Sequence, residues 1–512
     1  MSSIGNKRWL ALAATTLAVL AVSLDVTVLS VALPTLAGAL KASESDLQWF
    51  SSGYALTLAA GMLPAGVLGD RFGRKRILLA SLVLFGAGSV LCAYSVNPAQ
   101  FIAGRVLLGA AGVSIVVMAL SVLTVLFAED ERPRAVGVWA AANFIALPVG
   151  PIFGGWLLTN FWWGWIFLMN VPVAVLGLIA VALLVPESRS PEKPAIDPAG
   201  MVLSSTGLVA VTYGLIELGR NGWTDPPSLA VAVGGVLVIV AFFVWERYLT
   251  DRPGGRPLID LALFGNRGFT WGMILAALGG LALIGMVFTL PQYSQGVLGL
   301  DPEGSGVRLL PIIGGLIAGA VPADRVAQRI GGRVTVATGF AITVAGLLLG
   351  ATTSLDSGTW FQIAWLAIVG LGMGVGFATA ASAALKQVPS EKSGVASALL
   401  QAMQKVGAPF GSAILGSVLV TVYQSNLDLQ GVPSGVAATV KLSVFAGVEV
   451  AGRLHSSTLL LSVRHAFVQG MDAALVVSAG FAAVAVVLAL IFLPGRKAVV
   501  AAAEDRPVSE VA

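Results

Sequence analysis

Charge is scarce in this chain. Of 512 residues, 30 are Lys or Arg and 26 are Asp or Glu, so 11% are charged, where a soluble domain carries about 25%. Hydrophobic residues make up 57%, and the mean hydropathy is +0.89. There is too little polar surface here to coat a water-soluble globule. That excludes soluble, single-span and peripheral architectures and leaves an all-α polytopic membrane protein. Cys92 is the only cysteine, so no intrachain disulfide can form. The two histidines, His455 and His465, come late and offer no metal site. No G-x4-G-K-[ST] loop is present, so this chain carries no ATP-driven motor of that type. No intramembrane His, Asp or Cys constellation suggests a membrane enzyme. The formal charge of +4 reads as basic cytoplasmic loops rather than nucleic-acid binding. No cofactor and no metal are expected.

What is abundant is apolar sequence in long runs. A spanning helix needs about 20 largely apolar residues. Such runs lie near 10–36, 48–69, 77–96, 99–124, 134–158, 163–185, 198–218, 228–248, 270–296, 305–323, 334–352, 361–385, 394–422 and 473–494. These make fourteen expected spans, an even number that puts both termini on one side. Lys7 and Arg8 before WLALAATTLAVLAVS could open a signal peptide cleaved near Ser23. The apolar run continues through Asp25 to VTVLSVALPTL, however, which reads as a first span. With the N-terminus inside, 22 basic residues fall in cytoplasmic segments and 6 in outer ones. The positive-inside rule therefore places both termini in the cytoplasm. The segment 423–472 is long and of mixed polarity, and is expected outside the membrane with partial helical character.

The chain repeats itself. GVLGDRFGRKR at 66–76 is echoed by GAVPADRVAQRIGGR at 319–333, with Asp70 and Asp324 254 residues apart. Pro34 and Pro291, and Gly150 and Gly407, are each 257 apart. Two homologous six-span halves are implied, with two further spans between them. The expected division is 1–190 for the first bundle, 191–268 for the two linker spans and a cytoplasmic connection, 269–495 for the second bundle, and 496–512 for a cytoplasmic tail. Parallel six-span halves are the major-facilitator arrangement.

Several residues stand out against the apolar background. Gly137, Gly150, Pro151, Gly154 and Gly155 form G-x8-A-x3-G-P-x2-G-G, with Ala146 the one alanine in the pattern. In a soluble helix interior glycine costs about 1 kcal/mol and proline about 3. In a membrane, bare backbone lets helices press together and proline bends them. Asp25 lies midway along the first span, where a carboxyl should face the bundle or an aqueous cavity. It could exchange protons there, or hydrogen-bond to backbone at a kink. Arg105, in AGRVLLGAAG, needs a buried acceptor unless it snorkels to the interface. Gly66, Asp70, Arg71, Gly73, Arg74 and Arg76 form a short loop after the second span. The glycines allow close approach and a tight turn, and Asp70 suits a neighbouring helix N-terminus. Gln401, Gln404 and Lys405 fall on or near one helical face of the thirteenth run. Lys405 could be neutral through burial or paired with Asp25. Tyr54, Trp139, Asn143 and Phe144 could line a cavity with them.

Four segments together resemble the fourteen-span drug:proton antiporters of the major facilitator superfamily, the QacA- and SmvA-like group. They are LDVTVLSVALPTL at 24–36, GVLGDRFGRKR at 66–76, FIAGRVLLGAAG at 101–112 and the glycine–proline run at 137–155. The resemblance covers essentially the whole chain. It implies a proton-coupled exporter of lipophilic drugs or antibiotics that works by alternating access in the cell membrane, as a monomer and not as an enzyme. It assigns Asp25 and Arg105 to proton coupling, the 66–76 loop to a conformational latch, and the 137–155 run to the antiporter motif that biases transport outward. Members resembling QacA carry acids in the thirteenth span; Lys405 stands here instead, which favours neutral or anionic lipophilic substrates. A dedicated exporter of one metabolite or lipid is the alternative, followed by an uptake carrier. The echo of the glycine–proline run, Gly407 to Gly411, lacks paired glycines, so the outer seal is expected from Gly150–Gly155 alone.

Overall fold

The computed structural model describes residues 2–127, 131, 135, 146, 149–189, 197–252, 255, 257–259, 261–385, 388, 393–430 and 432–493. Among these there is no β-strand. The helices are α1 (Ser2–Leu40), α2 (Glu44–Phe72), α3 (Arg74–Ala93), α4 (Pro98–Leu126), α5 (149–160), α6 (Trp165–Leu184), α7 (Pro198–Asn221) and α8 (Pro226–Asp251). They continue with α9 (Arg267–Val297), α10 (Pro302–Ile330), α11 (Gly332–Gly350), α12 (Thr359–Leu385), α13 (Ser393–Asn426), α14 (Ser434–Val440), α15 (Val444–Arg453) and α16 (Ser457–Phe492). Among the described residues eleven helices are long and apolar enough to cross a membrane, or twelve with α2 counted as one bent span. The expected fifth span is described only from residue 149, and α13 is not among the eleven.

Local chemistry sets where these helices begin. Asn97, Asp225 and Asp301 each accept a backbone N–H of the first turn, and proline follows at the first helical position. Proline's missing N–H costs nothing there and its φ is already helical. Ser43 and Asp46 close a reciprocal capping box at α2. Gly73 and Gly331 separate α2 from α3 and α10 from α11 at φ of 107° and 91°, a region L side chains avoid. The two halves of the repeat thus share the same hinge chemistry.

Two helices outrun their expected spans. α1 has 39 residues and α16 has 36. At 1.5 Å per residue, α16 is about 54 Å long, against about 30 Å of hydrocarbon. The extra turns, from Ser457, fall in the segment expected to lie outside the membrane. They remain helical because they are packed: Val463 fills the space beside Gly447 of α15, and Gly470 lies against the Leu419 carbonyl of α13. The rest of 423–472 forms α14 and α15, which matches the expected partial helicity.

By internal contacts the chain falls into two compact units. The first comprises 1–259, 287–309 and 412–471, and the second 260–286, 310–411 and 472–512. In the second, Leu275, Val336, Phe340, Ala380, Ala485 and Leu493 are buried together. Glycines let α10 and α11 each touch α12 backbone to backbone: a Cβ on Gly339 of α11 would stand 2.6 Å from the Gly376 nitrogen, and one on Gly315 of α10 would strike the Ala367 carbonyl. In the first unit, α7 and α8 form a close hairpin. A Cβ on Gly214 would lie 2.6 Å from the Ala232 nitrogen, and one on Gly235 2.6 Å from the Val211 nitrogen. Gly234, beside it, has open space. Gly235→Ala is therefore expected to lower the thermal midpoint of the detergent-solubilised protein by several degrees, since overpacking costs about 1–3 kcal/mol. Gly234→Ala should leave the midpoint unchanged or raise it.

Candidate functional site

The arginine and the aspartate that the sequence singled out meet inside the first unit. Arg105 of α4 and Asp25 of α1 form an ion pair, Nη1 to Oδ2, at 2.6 Å, and each side chain is 1% exposed. Arg105 Nε donates to the Phe50 carbonyl of α2 at 3.1 Å, and the guanidinium lies 4.3 Å from the centroid of the Tyr54 ring. The other Asp25 oxygen accepts from Asn170 Nδ2 of α6 at 3.3 Å. Both carboxylate oxygens are thus held by side chains, and Arg105 does not snorkel. Tyr54, expected in a cavity wall, is 1% exposed and donates its hydroxyl to the Val22 carbonyl. Arg105, Gly109 and Gly112 share one face of α4 at i, i+4 and i+7. A Cβ on Gly109 would stand 2.7 Å from the Tyr54 carbonyl, and one on Gly112 2.9 Å from its hydroxyl. The glycines of AGRVLLGAAG therefore make room for the tyrosine that covers the arginine. Asn170 was missed; its only signal is a lone amide in the apolar stretch FLMNVPVAV.

The 66–76 segment, expected as a short loop, is helical except at Gly73: 66–72 end α2 and 74–76 open α3, because one glycine at positive φ suffices for the turn. The segment closes on itself and on the end of α6. Asp70 Oδ1 accepts from Arg74 Nη2 at 2.7 Å and from Nε at 3.0 Å. Arg71 stacks over Phe72. The carboxylate at the N-terminus of α3 is Glu187 rather than Asp70: it accepts the Lys75 N–H at 3.2 Å and sits 3.6 Å from Arg76. The Arg74 N–H donates to the Ser188 carbonyl at 2.9 Å. Gly73 provides the tight turn as expected, and a Cβ there would also meet Glu187 Oε1 at 2.6 Å. Close approach belongs to Gly69, whose Cβ would strike the Met118 sulfur. Gly66 has only ordinary contact, with Val117 at 3.9 Å.

Gly137, Trp139, Asn143 and Phe144 lie outside the described residues, as do the side chains of Gln401, Gln404 and Lys405. The described part of the glycine–proline run packs two ways. Gly150 and Gly154 face α1, where a Cβ on Gly154 would be 2.6 Å from Val28 Cγ1 and one on Gly150 would strike Thr27 Oγ1. Thr27 Oγ1 is also 3.2 Å from the Ala146 carbonyl. Gly155 faces the start of α10, with its Cβ position 2.6 Å from the Pro302 carbonyl, and Gly306 returns the contact against Pro151. The echo also packs closely. In the second unit Gly407 and Gly411 lie against the Ala277 and Leu281 carbonyls of α9, much as Gly150 and Gly154 lie on α1. In the first unit Ser412, 257 residues after Gly155, hydrogen-bonds Ser52 of α2 at 2.7 Å. A small residue and a hydroxyl pair thus do equivalent work at repeat-related positions.

The family model for the Major Facilitator Superfamily matches residues 15–412. The chain belongs to the major facilitator superfamily. It is 32% identical over 502 residues to the tetracenomycin C resistance and export protein of Streptomyces glaucescens, covering 96% of this chain and 92% of that one. It is 33% identical over 483 residues to the multidrug efflux pump LfrA of Mycolicibacterium smegmatis, covering 93% and 94%. Among solved structures, a bacterial homologue of the human lysosomal transporter Spinster superposes with a TM-score of 0.67 at 16% identity, covering 96% and 99%. As a superfamily member with many apolar helices, the chain is a multi-pass membrane protein.

The ion pair makes a stability prediction. Removing one partner of a buried pair costs about 3–5 kcal/mol, whereas replacing both with apolar groups is often neutral. Asp25→Ala should depress the thermal midpoint in detergent sharply. Asp25→Leu combined with Arg105→Met should recover most of that loss.

Proposed function

We propose that this chain is a proton-coupled secondary exporter of small lipophilic drugs or antibiotics, working by alternating access in the cell membrane with both termini cytoplasmic. The observation that carries this reading is the buried Asp25–Arg105 pair, held by α1, α2, α4 and α6 in a chain that matches efflux relatives along nearly their whole length. A proton reaching Asp25 removes its charge and leaves Arg105 without its counter-ion. The arrangement of helices around a single buried cation is then no longer the favoured one. Only such a difference in interaction between states lets a proton bias a conformational equilibrium. Arg105 is the group that reports the protonation of Asp25 to α2, through the Phe50 carbonyl and the Tyr54 ring.

The glycine–proline run supplies direction. Gly154 on Val28 and Gly155 on Pro302 close α5 against α1 and α10, and Ser412 on Ser52 closes α13 against α2. In the proposed topology these contacts form the outer seal. The Asp70–Arg74 pair at the α2–α3 turn, with Glu187 reaching it from the end of α6, acts as the cytoplasmic latch. The reading keeps fourteen spans in two six-span bundles joined by two linker spans, a functional monomer and no enzymatic step. A dedicated exporter of one metabolite or lipid is the second reading, supported by the relative named for tetracenomycin C alone; Lys405, where other members place acids, favours neutral or anionic lipophilic substrates in either reading.

The test is uptake of a lipophilic dye or antibiotic into everted vesicles with and without a proton gradient. The parent should accumulate substrate only with the gradient, and Asp25→Asn should abolish gradient-driven accumulation. Gly154→Leu should insert normally yet lose at least about tenfold in rate, because a packing misfit of about 1.4 kcal/mol already shifts an equilibrium tenfold. Undiminished gradient-driven uptake by Asp25→Asn would remove Asp25 from coupling. Transport of a single compound from a broad panel would select the dedicated exporter.

A further inference from the structure

The coupling scheme leaves one buried acid unused. Glu44 opens α2 and is 4% exposed, yet no well-formed hydrogen bond holds either carboxylate oxygen; the polar side chain that faces it is the neutral amide of Gln292. Its backbone N–H donates to the Leu442 carbonyl, just before α15, at 2.9 Å, which pins the helix start into a seam. That seam is unusually polar. Gln292, on α9, is fully buried and its Oε1 is also unpaired. Gln48, one turn along α2, is 1% exposed with its Oε1 unpaired, and it fills the space beside Gly416 of α13. α9 ends in a π-turn, Tyr293–Val297, from which Gln295 donates to the Val31 carbonyl of α1 at 2.9 Å. Such turns recur at functional sites.

The charged and titratable groups around Glu44 do not neutralise it. Tyr423 of α13 faces it, but its hydroxyl donates to the Val440 carbonyl at 2.8 Å and lies 3.2 Å from that of Ser443. Asp46, on the same helix, is engaged by Ser43. Lys41 and Lys441 are exposed. Among the described residues no ion pair reaches Glu44. An ionised carboxylate without a partner is far too costly to bury, and the group neutralises instead.

We infer that Glu44 is a proton-binding site tied to closure of this seam, holding a proton while α2, α9, α13 and the 440–443 turn are packed and releasing it when they part. The side it faces rests on the proposed topology, which places the seam at the outer surface. The proton is taken from external water on closing and returned there on opening. It never crosses the membrane, so it adds nothing to the transport stoichiometry. The sign follows from linkage. The closed form binds more protons, so external acid favours closure and rising external pH favours opening, by at most about tenfold per pH unit for one proton.

Ser52 gives a readout that does not depend on transport. It is fully buried against Ser412, and the only native thiol, Cys92, is fully buried as well. A Ser52→Cys protein in intact cells, treated with a membrane-impermeant maleimide, should label faster as the medium goes from mildly acidic to mildly alkaline once its rate is divided, at each pH, by that of an Asn160→Cys protein, whose exposed thiol carries only the intrinsic rise in thiolate fraction; the profiles below are these ratios. The parent lacking Ser52→Cys serves as the blank. Adding Glu44→Gln should make labelling slow and flat with pH, and Glu44→Asp should restore the dependence. Flat labelling in Ser52→Cys alone, or a Glu44→Gln profile that follows it, would overturn the assignment. If Glu44→Gln fails to reach the membrane, Gln292→Lys tests the same point: a cation beside Glu44 should hold the seam closed at every pH, and a retained pH profile would count against the site. Failure here leaves the vesicle result on Asp25 untouched, and the reverse also holds.

Discussion

A guanidinium with 1% exposure in the middle of a membrane protein dictates what surrounds it. Arg105 cannot lose its proton, so the fold must give it an anion, an acceptor for its remaining donors and a face to rest on. Asp25, the Phe50 carbonyl and the Tyr54 ring meet those needs, and each comes from a different part of α1 or α2. The residues that look secondary follow from this demand. Asn170 fixes the second carboxylate oxygen. Gly109 and Gly112 clear the volume that Tyr54 occupies. Phe50 itself packs on Phe101 at 4.4 Å between ring centroids, and Phe101 on Phe167 at 5.4 Å, so the charged cluster sits beside an aromatic stack linking α2, α4 and α6. Neutralising the pair would leave the packing in place but remove the reason for its exact register.

Asp25 and Glu44 are both buried carboxyls, and they differ in company. Asp25 has a cation and an amide; Glu44 has only amides that leave it unsatisfied and a tyrosine whose proton is committed elsewhere. The same side-chain chemistry thus meets a counter-ion in one place and, among the described residues, none in the other. Near Glu44, α2 meets α13 through an amide beside bare backbone, Gln48 on Gly416, and through a hydroxyl pair, Ser52 with Ser412. A seam of this kind can separate into water at modest cost, because its polar groups find new partners there. A leucine-lined seam would have no such compensation.

Much of the arrangement was legible in the residues. The membrane class followed from composition, and helices lie at the expected span positions. Asp25 and Arg105 were recognisable because each is a charge inside an apolar run, and the structure brings the two together. The repeat offset located Gly407 as the counterpart of Gly150, and the two pack alike on α9 and α1. What could not be read were the tertiary partners. Glu187 lies 117 residues from Asp70 in sequence and shows no pattern linking it to α3. Gly69 looked no different from Gly66 until Met118 was placed beside it. The length of α16 was hidden because Arg464, His465 and Asp472 give its first half the polarity of a loop, while contacts with α13 and α15 keep it helical. The positions expected to line a cavity with Tyr54 fall outside the described residues, and Tyr54 itself serves the arginine.

Among the described residues α2 touches all three of these places: the seam through Glu44 and Ser52, the ion pair through Phe50 and Tyr54, and the Gly73 turn through Asp70. It is not straight. The arms Glu44–Met62 and Pro64–Phe72 meet at 54°, at a proline that removes a backbone hydrogen bond. Mechanically the helix is a jointed shaft. Torque applied to its longer arm by the seam or by the arginine is passed on directly between those two, and only loosely to the loop beyond the joint. The two ends of the carrier can therefore be set by separate signals while sharing a single piece of chain.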